Sequence, residues 1–156
     1  LTFSAWRITK EVHAKSAFSG EGARLYGGRW NSRGTPLIYT AQSQSLAVLE
    51  MLVHLDSPEL LRHFVLFEVT VPSALVEVLD AAKLPRNWSA NPIPEEKQEL
   101  GDDWVRSRRS AVLRVPSTLV PAECNFLLNP AHAEFRKLHM GKAIPFAFDA
   151  RLNRQY

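Results

Sequence analysis

Leu37-Ile38-Tyr39-Thr40-Ala41-Gln42-Ser43-Gln44-Ser45-Leu46-Ala47-Val48-Leu49-Glu50-Met51-Leu52-Val53 is the most informative stretch of the chain. Pro36 to Ala41 is rich in residues that favour a pleated backbone and predicts a strand. Ser43 is suited to accept a free N–H at the start of a helix, which the apolar run carries on to Leu55. From Leu46 to Leu55 the apolar residues cover almost the whole circumference, so this helix is expected to be mostly buried. Glu50 is a lone carboxylate inside that run. An acid is seldom placed there without a partner or a task, because an unpaired buried charge is costly, and Glu50 is expected to face a cleft.

The flanking segments complete an α+β plan. Phe3 to Ile8 reads as a short strand, and residues 19–35 as a polar, Gly-rich loop. His63 to Val71 alternates as a central strand does (Phe64, Leu66, Val69, Val71), ends at Pro72, and is expected to have Val76 to Leu79 paired beside it. Pro85, Asn87, Asn91 and Pro92 mark an irregular stretch across 80–94. Pro94 to Ser107 follows as a helix, with proline at its start and Glu95 and Glu96 in the first turn, where acids suit the helix dipole. Ala111 to Val115, Asn125 to Leu128 and Phe146 to Phe148 supply the remaining strands. Without repeats or low-complexity linkers, the expectation is a single domain over residues 1–156, with a mixed or split antiparallel sheet and flanking helices.

Composition narrows the function classes. A chain of 156 residues that is 46% hydrophobic and 10% aromatic can bury a proper core, so a disordered polypeptide is excluded. No apolar run approaches the roughly 18 to 20 residues that span a bilayer, and no signal pattern opens the chain, so a cytoplasmic location is expected. The single cysteine, Cys124, allows no intramolecular disulfide and reads as a small core residue. His132 and His139 lack a paired carboxylate nearby, and no metal site is expected. Nineteen basic residues against sixteen acidic give a charge of +3, and thirteen of the nineteen are arginine, which suits phosphate and carboxylate forks. The run Arg106-Ser107-Arg108-Arg109 reads either as a solvated helix end or as a surface for an acidic partner. The longer basic stripe with interleaved exposed aromatics that a nucleic-acid binder would carry is not present.

Residues able to do chemistry gather in two places. The stretch from Gly20 to Gly34 combines five glycines with three arginines, a backbone that can approach a ligand closely beside side chains that can clamp a phosphate. It is neither a Walker loop nor a dinucleotide fingerprint, and a surface loop with turn glycines explains it equally well. The second place joins Ala111-Val112-Leu113-Arg114-Val115-Pro116-Ser117 to Glu123-Cys124-Asn125-Phe126-Leu127-Leu128-Asn129-Pro130. Polar residues at strand ends are what a site on a rigid sheet needs, although Ser117 and Asn129-Pro130 also read as turn residues.

In their order along the chain, Gly27-Gly28-Arg29-Trp30-Asn31-Ser32, Leu37-Ile38-Tyr39-Thr40-Ala41, Leu46-Ala47-Val48-Leu49-Glu50, Val115-Pro116-Ser117 and Asn125-Phe126-Leu127-Leu128-Asn129-Pro130-Ala131-His132 resemble the motifs of the RES domain family. The resemblance runs from Trp6-Arg7-Ile8 to the C-terminal strand. It implies a fold similar to that of ADP-ribosyltransferase toxins, and a role as the toxin of a bacterial toxin–antitoxin pair. It also implies a hetero-oligomer with an Xre-like antitoxin that blocks the active site, and NAD+ as a substrate rather than a tightly bound cofactor. Family members hydrolyse or phosphorolyse NAD+, or ADP-ribosylate a protein. Carried over by motif, Arg29 matches the family arginine, Tyr39 the tyrosine at the strand end, Glu50 the glutamate and Ser117 the serine, with Asn125 added as a binding residue. The segment 80–110 matches no motif, and nothing carries over there.

These residue types suit cleavage of the nicotinamide–ribose bond, which passes through an oxocarbenium-like state that a nearby anion stabilises. Glu50 can supply the anion, Arg29 can clamp the pyrophosphate, Tyr39 can stack on the nicotinamide, and Ser117 can hydrogen-bond the substrate or orient a neighbour. Ser117 is not read as a nucleophile, since no base can be assigned to it. Plainer readings stand beside these: an Arg29–Glu50 ion pair, Tyr39 as core, and Glu50 bonded to His54 one turn on. Hydrolysis or phosphorolysis of NAD+ is the leading function, transfer of ADP-ribose to a protein the alternative, and a non-enzymatic partner-binding module the more distant one.

Overall fold

The computed structural model describes residues 1–55 and 62–153. Among them, β1 (Thr2–Lys10), α1 (Glu21–Tyr26), β2 (Ile38–Ala41), α2 (Gln44–Leu52), β3 (Phe64–Pro72), β4 (Val76–Val78), α3 (Glu95–Ser107), β5 (Val112–Pro116), β6 (Cys124–Leu128), β7 (His139–Met140) and β8 (Ile144–Phe146) follow one another. The strands form one sheet in the order β4-β5-β6-β2-β1-β3-β7, with β8 also on β3. The β4–β5 pair is parallel and the other pairs are antiparallel, so the class is α+β with a mixed sheet.

This sheet has a seam. β1 runs beside β3 through the whole register from Thr2↔Pro72 to Lys10↔Phe64, but it meets β2 only at Trp6↔Ala41. Where that ladder stops, Arg7 takes over. Its Nε donates to the Ala17 carbonyl at 2.8 Å and its Nη1 to the Tyr39 carbonyl at 3.0 Å, so the strand carbonyl keeps a partner. Burial lowers the Arg7 guanidinium to about 10, which still leaves it charged at neutral pH.

Apolar side chains fill both faces. Ile38, Val69, Val71, Val112, Phe126 and Leu128 join the two halves of the sheet across one core, which also encloses Ala5. On another face Trp104 and Val105 of α3 cover Leu113, Val115 and Leu127, together with Trp30 and Leu37. α2 sets Leu46 and Ala47 against Ile8, Ala41, Phe64 and Leu66. Ser43 caps this helix as its sequence predicts, its Oγ accepting from the Leu46 N–H at 3.1 Å.

Several expectations need correcting. α2 is not mostly buried. Only its Leu46 and Ala47 are enclosed, while Leu49 is 44% and Val53 58% exposed, because the sheet covers a single stripe of the helix. β4 pairs with β5 rather than beside β3, through backbone hydrogen bonds that no local pattern encodes. The stretch 19–35 contains the short helix α1, ended by Gly27 at φ 73°. The last expected strand, Phe146 to Phe148, is instead Ile144–Phe146, and its register puts Phe146 opposite Phe64.

Candidate active site

The turn that follows β5 binds two helices at once. Ser117 is completely buried, and its N–H donates to the Glu123 carbonyl at 3.0 Å. Its Oγ accepts from the N–H groups of Leu119 at 3.1 Å and Val120 at 3.2 Å, and donates to Glu50 Oε1 at 3.0 Å. One hydroxyl offers one donor and two acceptor sites, and all three are used. Ser117 is thus a positioning group for Glu50, with no free lone pair for attack. The other carboxylate oxygen of Glu50 makes no hydrogen bond among the described residues.

Thr118, the next residue, serves the opposite charge. Its Oγ1 accepts from Lys97 Nζ at 3.1 Å. Lys97 lies in the first turns of α3, fully buried, with its ammonium 4.4 Å from the centre of the Trp30 ring and 5.2 Å from that of Trp88. Burial is the main cause that lowers the Lys97 ammonium from 10.5 to about 8; the Arg29 charge lowers it further, and Glu50 opposes the change. Both named side chains are therefore within electrostatic reach of Lys97.

Arg29 is presented by a loop that is braced from three sides. The Gly28 N–H donates to the Asn31 carbonyl at 3.0 Å, closing a tight bridge. Tyr39 Oη donates to Asn31 Oδ1 at 2.6 Å and accepts from the Trp30 N–H at 3.0 Å. A β-carbon on Gly28 would lie 2.6 Å from that hydroxyl, so only glycine fits. α3 closes the third side: Gln98 Nε2 donates to the Gly28 carbonyl at 2.9 Å, Asp102 accepts from the Ser32 N–H at 3.0 Å and from its hydroxyl, and Gly101 packs against the Trp30 carbonyl. Arg29 itself is half-buried, with one long contact of 3.4 Å from Nη1 to the Ala90 carbonyl.

Of the five residues singled out by sequence, Glu50 and Ser117 are in direct contact, and Arg29 lies within electrostatic reach of their neighbour Lys97. Tyr39 packs its ring beside Trp30, Leu37 and Leu127 and spends its hydroxyl on the Arg29 loop. Burial raises its phenol well above the ordinary range, so it stays protonated. Asn125 is buried in β6, with Nδ2 donating to the Thr40 carbonyl at 3.3 Å. Asn129 serves the fold, tying its Nδ2 to the Val105 carbonyl of α3 at 3.1 Å. Among the described residues Arg29 and Glu50 form no ion pair, and Glu50 is bonded to Ser117 rather than to the exposed His54.

Lys97, Thr118, Trp30 and Trp88 were not singled out from sequence. One signal was present for Lys97: it falls with Gly101, Trp104 and Val105 on the buried stripe of α3, where a 3.6-residue period calls for an apolar side chain. A shallow cleft of about 450 Å³ runs along the neighbouring flank of α3, lined by Ser32, Glu95, Gln98, Glu99, Asp102 and Arg106, and does not include Glu50 or Lys97. Among the described residues no group of three or more His, Cys, Asp or Glu is placed to hold a metal ion, and no helix is long and apolar enough to cross a membrane.

The profile of the RES domain matches residues 4–149. The chain is 43% identical over 149 residues to the "Toxin Res" of Photorhabdus laumondii, covering 94% of this chain and 95% of that one. It is 39% identical over 160 residues to the "Prs ADP-ribosylating toxin" of a Sphingobium species, covering 99% of both. Among solved structures, the M. tuberculosis MbcT-MbcA toxin–antitoxin complex contains a chain of similar fold, with a TM-score of 0.73 at 19% identity over 94% of this chain and 85% of that one.

Proposed function

The chain belongs to the RES domain family, and on that footing we propose that it is the toxin of a toxin–antitoxin pair and consumes NAD+ by breaking the nicotinamide–ribose bond. The observation that carries this reading is the Glu50 carboxylate held by Ser117 Oγ, next along the chain from the Thr118 that holds Lys97. When the C1′–N bond breaks, its electron pair leaves with the ring nitrogen as neutral nicotinamide, and positive charge develops on the ribose. Glu50, aimed by one hydrogen bond on Oε1, stabilises that charge through its other oxygen and needs no reorganisation at the moment of reaction. Arg29 holds the pyrophosphate, while Tyr39 steadies the loop that carries it and Asn125 ties β6 to the Thr40 carbonyl of β2.

Water as acceptor gives ADP-ribose and a proton, and phosphate gives the ADP-ribose phosphate; either depletes NAD+ and arrests growth. Transfer to a protein is the second reading, supported by the relative of 39% identity that is named an ADP-ribosylating toxin. A cytoplasmic toxin of either kind requires restraint, and an Xre-like antitoxin covering the Glu50 region in a hetero-oligomer fits the family. Purified chain incubated with NAD+ is expected to release nicotinamide. Glu50→Gln is expected to lower that release at least about a hundredfold while leaving thermal unfolding nearly unchanged. Full turnover in a folded Glu50→Gln variant would sink the mechanism. Labelled NAD+ in lysate separates the two readings, since label on a protein band means transfer.

A further inference from the structure

α3 brings to this region a charge that the proposed reaction leaves without a task. Lys97 is fully buried, yet among the described residues it makes no ion pair, and its one hydrogen bond goes to a neutral hydroxyl. The Trp30 and Trp88 rings favour a cation without neutralising it. Arg29 is in the same condition, half-buried with only a carbonyl at 3.4 Å. Lys97 meets the ring of Trp30, the residue next to Arg29, and both cations are covered by the stretch that holds Trp88 and Ala90, so they share one region. Their repulsion outweighs the attraction of Glu50, which forms no ion pair with either among the described residues. Apolar side chains of similar volume usually serve a core at least as well. Such an arrangement gains its compensation when an anion arrives between the charges, and a guanidinium fork beside a compact ammonium suits phosphoryl oxygens.

The covering of the two cations supports the same conclusion. Trp88 over Lys97 and the Ala90 carbonyl on Arg29 both come from the irregular stretch before α3. Each contact is weak enough to be exchanged: a ring centre at 5.2 Å and a carbonyl near the limit of hydrogen bonding. We propose that Lys97 and Arg29 together form a seat for a phosphoryl group, which enters by displacing the Trp88 ring and the Ala90 carbonyl. Placing that group in the catalytic site rests on the NAD+ reading above. The group is either the pyrophosphate of the dinucleotide or free orthophosphate waiting to attack C1′.

Inorganic pyrophosphate and orthophosphate, titrated separately by calorimetry at constant ionic strength, test the seat without any turnover. Wild type is expected to bind at least one of them, and Lys97→Met, which keeps the volume and removes the charge, to bind it at least about tenfold more weakly, the scale of one lost charge-assisted hydrogen bond. Binding of pyrophosphate places the substrate's own phosphates in the seat; binding of orthophosphate alone makes it the acceptor's. Should Lys97→Met fail to fold, Lys97→Gln is neutral, can still bond Thr118, and gives the same reading. The proposal is overturned if neither anion binds wild type, or if a folded neutral variant binds as tightly. Wild type that binds the anion but releases no nicotinamide from NAD+ would instead defeat the proposed reaction and leave the seat standing.

Discussion

Two sides of the candidate site are built by opposite rules. On the α2 side, Glu50 is answered at once by Ser117, whose hydroxyl has every bonding position filled. On the α3 side, Lys97 and Arg29 sit among aromatic rings and carbonyls and form no ion pair among the described residues. The first arrangement holds a charge still; the second leaves charge to be used. The two sides meet at adjacent residues, since Ser117 serves Glu50 and Thr118 serves Lys97. A displacement of that one turn therefore disturbs both.

Prising the α3 side itself apart is the severest test of this contrast. In Gly101→Ala the new β-carbon would lie 1.6 Å from the Trp30 carbonyl oxygen, against backbone that cannot swing away. The expected loss is about 3 kcal/mol in denaturant unfolding, with α3 pushed off the Arg29 loop. A change below about 0.5 kcal/mol would mean that α3 and the loop are not held in contact. Ser117→Ala breaks the satisfied side. It strips acceptors from the Leu119 and Val120 N–H groups and the donor from Glu50, for about 2 kcal/mol of stability. Nicotinamide release should fall about tenfold in kcat with KM nearly unchanged, since Ser117 aims the carboxylate and does not hold substrate. A rise in KM alone would assign it to binding instead.

The unneutralised side should show itself in pH dependence. Lys97 has a folded pKa of about 8 against 10.5 when unfolded, so between those values the unfolded chain binds more protons and stability rises with pH. The rise, on the order of 2 kcal/mol, should appear in the difference between wild type and Lys97→Met across that window and vanish below pH 7. A flat difference would show that the burial of Lys97 is relieved in solution. Tyr39→Phe is the mildest break. It removes the partner of Asn31 Oδ1 and of the Trp30 N–H, for about 1 kcal/mol in thermal unfolding. A larger loss would make Tyr39, rather than α3, the main brace of the Arg29 loop.

The same contrast explains what could be read from the sequence. Glu50 stood out because a lone acid interrupts an apolar run, and α3 was legible almost to the residue, expected at Pro94 to Ser107 and found at Glu95–Ser107. Lys97 did not stand out. A lysine directly after a pair of glutamates reads as solvated surface, and what buries it arrives from outside the helix, from Trp88 and from the more distant Trp30 and Thr118. The seam failed to show for the same reason, since nothing local to Trp6 or Ala41 says that their strands meet once. β4 pairs in parallel with a strand beyond α3, and three residues, Val76-Glu77-Val78, are too short a pattern to name their partner. Patterns within an element were readable, whereas properties created by distant neighbours were not.

The seam at Trp6↔Ala41 also bears on when the site comes into being. α2 packs on β1 and β3, all of which leave the ribosome early, but the hydroxyl that aims Glu50 lies 67 residues further along. A chain still under synthesis can complete the long β1–β3 ladder and seat α2 on it while its carboxylate has nothing to orient it. Under the function proposed here, the carboxylate is therefore aimed only once β5 and its turn have joined the second half of the sheet.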